Sequence, residues 1–361
     1  MQLLVNALAH EAGFSLAGIA AVPEPGSVED REERARFAEW VAAGHAGEME
    51  YLKRRDEEGR LVRSSVRIAV PWVRSVIVCA VNYNSEQPRS IGPAPEGSGW
   101  IARYAWTGAG ERPTDYHKVL LKRLEKLNEK LQEQVGPFES RCYVDTGPLV
   151  ERVYAQYAGV GWTGKNTCIL NQKLGSWLFL GVILTSLELP PEQYATLAAD
   201  RCGSCTRCID DCPTDALTGG WQMDASRCIS YLTIEKRGEI SEDLRAGIGR
   251  QVFGCDICQD VCPWNRKAPI SRDAELAVRE PLVNPALDWL SEMDEATFGR
   301  WFYGSPVKRA KFSGFRRNIA IAMGNSGSEK FLPTLRSWAA RGDAIVAEAA
   351  QWAIGKIDPT L

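Results

Sequence analysis

The chain has 361 residues, 45% of them hydrophobic and 25% charged, an ordinary globular composition with room for two or three domains and a sizeable core. Its net charge of -3 excludes a polycation that coats nucleic acid over its whole surface, so any such contact must come from a local patch. Three histidines, His10, His45 and His117, leave little material for a histidine-built metal site or an acyl-transfer triad, and no apolar run approaches the roughly 20 residues that span a bilayer.

The first twenty residues, MQLLVNALAHEAGFSLAGIA, lack a basic start and break their apolar stretch at His10 and Glu11, so no secretion signal is read there. The expected location is the cytoplasm, where thiols stay reduced and available to metals. Residues 3 to 22 predict a helix leading into a short buried segment. Ser27 is then the expected N-cap of a second helix, with acids in its first turn, Phe37, Trp40 and Val41 facing inward, and Gly44 just past its end. The basic stretch from Lys53 through Arg55, Arg60, Arg63, Arg67 and Arg74 reads mostly as a solvated face. Val76 to Val81 is a β-branched run of the buried-strand kind, with Cys79 as a small core residue. Residues 85 to 99, rich in Gly, Pro and Ser, read as a surface loop.

From Thr114, the expected cap, the apolar period becomes helical: Leu120, Leu124, Leu127 and Leu131 share one face, with His117 in the first turn. Arg141 to Val144 predicts a strand, broken by Asp145-Thr146-Gly147-Pro148 before LVERVYAQYAG resumes helical spacing; such a strand-to-helix turn is a common place to expose one polar side chain to a pocket. WTGKNTCI (162 to 169) reads as a polar turn and GSWLFLGVILTS (175 to 186) as a fully buried strand. This alternation predicts an α/β domain over residues 1 to 190, with Pro190 and Pro191 marking its exit.

Next come Cys202, Cys205, Cys208 and Cys212 followed by Pro213, the CxxCxxCxxxCP run of a bacterial-type two-cluster ferredoxin. Cys228 follows alone, then Cys255, Cys258, Cys262 and Pro263. Eight thiolates are what two 4Fe-4S clusters require, and in the bacterial run the fourth cysteine crosses to the other cluster. The expected sets are Cys202, Cys205, Cys208 and Cys262 for one, and Cys212, Cys228, Cys255 and Cys258 for the other. A pair of zinc sites would also accept four thiolates each, but zinc knuckles seldom space three cysteines at successive three-residue steps before CP. A disulfide framework needs an oxidising compartment, of which the chain gives no sign. The pattern favours clusters over both. The segment ends near Pro269, giving a two-cluster, ferredoxin-like domain over 191 to 270. Residues 271 to 361 read as mostly helical, and AIAMG (320 to 324) is echoed 31 residues later by QWAIG (351 to 355), a period that suits HEAT-like repeats.

Two clusters in tandem carry electrons singly, and the large upstream domain implies an electron-consuming site in the same chain. No GxGxxG fingerprint or P-loop stands at a strand-helix junction, which weighs against a Rossmann site. The corrinoid motif DxHxxG is missing too: Asp115-Tyr116-His117 opens it, but Leu120 replaces its glycine.

YVDTG (143 to 147), ER (151 to 152), AGVGWTGKN (158 to 166), GSW (175 to 177), CGSCTRCIDDCPTDAL (202 to 217), RCISYLT (227 to 233) and GCDICQDVCPWN (254 to 265) together resemble the epoxyqueuosine reductase family, from about Arg63 to the C-terminal repeats. That resemblance implies an α+β or α/β multidomain fold: a nitroreductase-like, cobalamin-binding α/β domain, the ferredoxin-like domain and a HEAT-like, tRNA-binding tail. It implies an oxidoreductase that reduces epoxyqueuosine to queuosine at the tRNA wobble position, using cob(I)alamin fed by the two clusters. Asp145 matches the family's proton donor, needed because an epoxide oxygen leaves poorly as an alkoxide. Burial against the corrin is expected to raise its pKa. On the residues alone, an Asx-turn cap ahead of the following helix is its other role. Arg63, Arg152, Lys165, Asn166, Ser176, Ser230, Asp256 and Gln259, together with Asp145, fall in segments that resemble the cobalamin walls, and the family binds cobalamin without a histidine below cobalt.

The implied partners are the anticodon stem-loop of queuosine-type tRNAs and an external low-potential electron donor, with no membrane and the protein a monomer. Between Gly299 and Ser328 no acidic residue occurs. Lys308, Arg309, Lys311, Arg316 and Arg317, with Phe312 and Phe315, offer charge and stacking for RNA, and Lys236 and Arg237 extend the patch. The family's compact aromatic-Gly-x-Asp-Tyr-His passage is replaced here by a longer loop, TGAGERPT (107 to 114), and the tail ends soon after the second repeat. The rival readings are a corrinoid reductase of small organic halides and a non-catalytic electron-carrying or RNA-binding protein.

Overall fold

In the computed structural model, which describes residues 1–109 and 112–360, a four-stranded sheet organises the N-terminal half. Its strands are β1 (Leu16–Ala21), β2 (Ser75–Asn82), β3 (Ser140–Tyr143) and β4 (Leu178–Thr185), lying in the order β1, β2, β4, β3. The helices that position the site are α1 (Gln2–Glu11), α2 (Val28–Ala42), α3 (Tyr116–Val135), α4 (Glu151–Tyr157), α5 (Lys311–Ser326), α6 (Leu332–Arg341) and α7 (Ala344–Ile357). Gly110 and Glu111, in the long 107 to 114 loop, lie outside the described residues.

Each neighbouring pair in this sheet is antiparallel, so the mixed domain expected over residues 1 to 190 is built as an α+β layer. Ala21 pairs with Ser75: the long 22 to 74 excursion returns to the end it left, as a hairpin does, whereas a parallel neighbour requires a crossover. β2 is buried along its whole length because the sheet is covered on both sides. Ile77, Cys79 and Val81 enter a core with Val5 and Leu8 of α1 and Leu120, Leu124, Leu127 and Leu131 of α3. Val76, Val78 and Ala80 enter a second core with Tyr154, Ala155 and Ala158 at α4. The period-2 alternation of a strand sends the two sets to opposite faces.

Ser27 caps α2 as expected, accepting from Asp30 N at 3.2 Å. Its expected inward face is only half buried, and Trp40 donates its indole N–H to Met223 O at 2.7 Å. α3 is capped by Asp115, whose carboxylate accepts from His117 N at 3.0 Å, and not by Thr114, which donates to Glu275 O at 2.6 Å. The charged acceptor wins the cap position, where the helix dipole favours it.

The cysteine segment and the tail share one core. Trp100–Ile101 pairs in parallel with Gln251–Phe253, and Trp100 and Phe253 are continuous with Leu287, Phe315 of α5, Leu335 of α6 and Ala353 of α7. The echoed segments meet inside this core, Gly324 of α5 lying directly against Ala353.

Sheet and active-site helix approach most closely at Gly18. A Cβ built there would lie 1.8 Å from Ala158 O at the end of α4, so only glycine lets α4 lie flat on β1. Gly18→Ala is expected to cost about 3 kcal/mol of folding free energy, measured by urea unfolding. At Gly355, where an added Cβ meets nothing within 4 Å, the same change should instead add up to about 1 kcal/mol through helix propensity.

Candidate active site and thiol clusters

β3 delivers the chain to Asp145, which turns it in the left-handed region at φ 57°, a conformation that non-glycine residues seldom adopt. Its backbone N–H donates to Glu151 Oε1 at 2.8 Å, clamping the turn onto the start of α4. Asp145 does not cap that helix; Val150 holds the cap position. The carboxylate, 51% exposed, accepts from the hydroxyl of Tyr116 and lies 3.5 Å from His117 Nε2. His117 Nδ1 is in turn 2.6 Å from Asp115 Oδ1. Tyr116 stacks on Phe179 of β4 with ring centroids 4.1 Å apart. The sheet thereby fixes the group that fixes Asp145.

The electrostatics divide the two carboxyls. Burial, and then the neighbouring Asp145 charge, holds the Glu151 carboxyl well above the usual carboxylate range. Of the two carboxyls, Glu151 is therefore the one that resists losing its proton. Tyr116 is likewise pushed well up, first by burial and then by Asp145, so it stays a donor. Arg63 donates to Leu149 O at 3.3 Å and adds positive charge close to Asp145 and Glu151.

An aromatic path leads from here to the cysteines. Tyr104 meets Tyr116 edge-on with centroids 6.1 Å apart and Phe253 at 6.0 Å, and Gly254 and Cys255 follow Phe253 in the chain.

Among the described residues all eleven cysteines are free thiols. Cys202, Cys205, Cys208 and Cys262 line one cavity, with Lys165 and Trp264 at its wall. Burial first, then Cys262, Cys202 and Cys205, push the Cys208 thiol up to about 11. Cys255 is pushed well up by burial, then by Cys228 and, more weakly, Cys212. Cys258 is raised by a hydrogen bond with Cys168, then by burial, Cys255 and Cys228. The thiols thus oppose one another in two groups of four, each group drawing one member from the other's sequence run. Among the described residues no three His, Cys, Asp or Glu side chains converge as a single ion requires. A four-iron cluster asks for wider spacing, since each thiolate takes a different iron, and a set of four free thiols around one cavity fits that cation.

The other residues expected along a cobalamin wall separate into distinct groups. Arg63 and Asp145 share the turn just described. Ser230 sits beside Cys228, its N–H and hydroxyl opposing the rise that burial imposes on that thiol. Arg152 donates to Thr167 O at 2.7 Å, and Lys165 to Gly203 O at 2.7 Å, tying the 163 to 168 loop to its surroundings. Asn166 is buried and donates to Cys258 O at 3.2 Å. Ser176 is buried too, its hydroxyl donating to Gln259 Oε1 at 2.9 Å. Asp256, 1% exposed, accepts from Trp100 Nε1 at 3.1 Å and Arg103 N at 2.7 Å. Burial, then the nearby Asp260, pushes its carboxyl up to about 7. Asn166, Ser176 and Asp256 spend these hydrogen bonds on protein groups and bind the wall together from within, Asn166 also lining the cavity of the first thiol group.

In the tail, Lys308, Arg309 and Lys311 are exposed. Arg237 is exposed and donates to Arg309 O at 2.9 Å, and Lys236 pairs with Glu48. Arg316 lies over the Trp338 ring at 4.3 Å. Arg317 is a correction: it is 1% exposed and donates to Leu232 O at 2.6 Å, Lys236 O at 3.0 Å and Gly238 O at 2.6 Å, so no phosphate reaches it. Phe315 is equally unavailable for stacking, packed between Phe298 and Phe302.

Comparison with known proteins fits this geometry. A family model described as "Epoxyqueuosine reductase QueG, DUF1730" matches residues 63–146, and one described as "4Fe-4S double cluster binding domain" matches residues 201–265. A curated epoxyqueuosine reductase from Xanthomonas campestris pv. campestris is 39% identical over 355 residues, 98% of this chain and 95% of that one. Among solved structures, an epoxyqueuosine reductase with an epoxyqueuosine-modified tRNA-Tyr stem loop superposes with a TM-score of 0.83 at 28% identity, covering 99% of this chain and 90% of that one. The Bacillus subtilis enzyme, with its catalytic aspartate loop swung out of the active site, gives 0.83 at 26% identity over the same shares. From the sheet that carries Asp145 to the paired thiol groups, this chain belongs to the epoxyqueuosine reductase family.

Proposed function

We propose that this chain reduces the epoxide of epoxyqueuosine in tRNA to the alkene of queuosine, with Asp145 as proton donor and Glu151 as the reserve that keeps it supplied. The observation that carries the assignment of roles is the pair itself: an accessible carboxylate at a strained turn, backed by a buried carboxyl that holds a proton. Family membership sets aside the small-molecule dehalogenase and the non-catalytic carrier.

Converting an epoxide to an alkene takes two electrons and two protons and releases one water. When bound, two 4Fe-4S clusters supply the electrons singly and a corrinoid cobalt presents them to the epoxide carbon. The Asp145 carboxyl protonates the departing oxygen, with the Tyr116 hydroxyl and the His117 ring holding it in place. That proton reaches Asp145 from Glu151, and the second proton of the released water enters from solvent through the open side of Asp145, which also admits substrate. The outer quartet is Cys202, Cys205, Cys208 and Cys262; the inner is Cys212, Cys228, Cys255 and Cys258. A low-potential donor delivers to the outer quartet, whose cavity opens beside Lys165 and Trp264. Arg63 and Ser230, on the active-site and inner-quartet sides, are the residues placed to meet a corrinoid, with Arg152, Lys165 and Gln259 behind them. Exposed Lys308, Arg309 and Lys311, with Lys236, Arg237 and Arg316, take the stem-loop phosphates. The same reading treats the sheet domain as nitroreductase-like and α5 to α7 as an abbreviated HEAT-like stack, supported by the 31-residue echo. It makes the protein a cytoplasmic monomer; among the described residues no helix is long and apolar enough to cross a membrane.

Asp145→Asn should lower turnover of epoxyqueuosine-containing tRNA by about 100- to 10,000-fold while iron and corrinoid contents stay at wild-type levels; unchanged turnover would remove Asp145 from the reaction. The single-turnover rate should fall as pH rises through the raised pKa of the Glu151 carboxyl, because the proton is lost there. In Glu151→Gln the reserve proton is gone and that alkaline limb moves to lower pH. Cys255→Ser should lose about half of the iron and the inner quartet's electron paramagnetic resonance signal, with the outer signal retained.

A further inference from the structure

The basic residues that follow α2 in sequence have the pattern of a solvated surface, yet the fold gathers two of them with two arginines of α2 around a single cavity of about 370 Å³. Arg31 and Arg34, three residues apart, project from one face of α2. Arg55 and Arg60 come from a tight turn closed by the Arg55 to Leu61 bridge. Among the described residues no carboxylate lines the cavity. Its volume falls within the roughly 300–1,000 Å³ of sites that house organic ligands, more than a lone anion fills.

The four charges are unequally compensated. Arg60 is paired with Asp56 at 2.6 Å and Glu58 at 3.0 Å, and Arg34 lies 3.6 Å from Asp30. Arg31 donates to Gly26 O, and Arg55 to Gly59 O at 2.6 Å; both of these acceptors are neutral carbonyls. Two guanidiniums therefore retain uncancelled charge and spare donors at an open mouth, where Arg34 and Arg60 are 40% and 45% exposed. Guanidinium forks suit phosphodiester oxygens.

Position supplies the second line of argument. Leu61 and Ser64 line the cavity, and Arg63, between them in the chain, turns toward Leu149 O and the Asp145 to Glu151 pair. On the same segment the Tyr51 ring lies under both Arg63 and Arg309, each 5.4 Å from its centroid. Basic side chains thus run from the tail, through Arg309, itself paired with Glu235, and Arg63 beside the Asp145 carboxylate, to the arginine cavity.

We propose that this cavity is a phosphodiester-binding site for the RNA substrate, gripping the backbone on the side of the reacting nucleotide away from the tail. The proposal rests on the reading of the chain as a tRNA-modifying enzyme. A strand held at both ends presents the nucleotide between them to Asp145 in one register.

The test compares the holoenzyme with Arg31→Glu/Arg55→Glu, Arg31→Lys/Arg55→Lys and Lys308→Glu/Lys311→Glu forms. Binding of a fluorescent anticodon stem-loop RNA is followed by anisotropy across a salt series, and iron and corrinoid contents are measured for each form. The expected result is at least tenfold weaker binding in Arg31→Glu/Arg55→Glu, with a salt slope shallower by roughly 0.7–0.9 for each phosphate no longer neutralised. The lysine form should keep the slope, and cofactor contents should stay unchanged. Wild-type affinity and slope in the glutamate form would overturn the proposal. So would loss of corrinoid with RNA binding intact, which would assign the cavity to a cofactor phosphate. Loss of RNA binding in Lys308→Glu/Lys311→Glu alone would uphold the tail reading and reject the cavity, whereas no RNA binding by the wild type would reject the tRNA reading itself.

Discussion

The structure depends on an exchange between two short loops. Each quartet of thiols is completed by a cysteine from the other's sequence run, so Cys262 stands with Cys202, Cys205 and Cys208 while Cys212 stands with Cys228 and Cys255. Burial first, and neighbouring thiols second, push Cys208, Cys255 and Cys262 up, a cost that a bound cation reverses. Around them the protein commits buried polar groups: Asn265 donates to Ser176 Oγ at 2.9 Å and to Gln259 O at 2.7 Å, and Asn166 holds Cys258 O. Such a network is costly when half satisfied and rigid when complete.

A second use of burial governs the proton. Asp145 and Glu151 are similar groups six residues apart, separated in function by exposure: one reaches solvent, while the other is driven by its surroundings to keep its proton. The left-handed turn at Asp145 is the conformational cost of this arrangement, offset by the bond from its N–H to Glu151 and by the Tyr116 hydroxyl.

Local periodicity and short-range spacing were legible in the sequence. The leucines of α3, the doubly covered run of β4 and the Ser27 cap all express signals contained within one element. The cysteine spacing could be read because cluster chemistry is encoded in loop geometry. Strand direction could not, since Leu16–Ala21 and Ser75–Asn82 read the same whether their connection doubles back or crosses over. Arg317 and Lys311 are equivalent as text, and only tertiary packing buries one and exposes the other. Glu151 stood in the Glu-Arg pair of the family pattern, but its importance comes from being buried behind Asp145, a relation absent from spacing. The arginine cavity is not legible in the sequence because its two arginine pairs lie more than twenty residues apart.

Arg317 has a wider consequence. Its guanidinium grips three carbonyls of the chain just beyond Cys228, so the tail cannot swing outward without stranding a charge in a dry interior. Nucleic-acid recognition and the electron path are thereby riveted into one body. Under the proposed role of the tail, selectivity works as a caliper: an RNA whose reactive base sits at the wrong reach from its grip is presented out of register to Asp145.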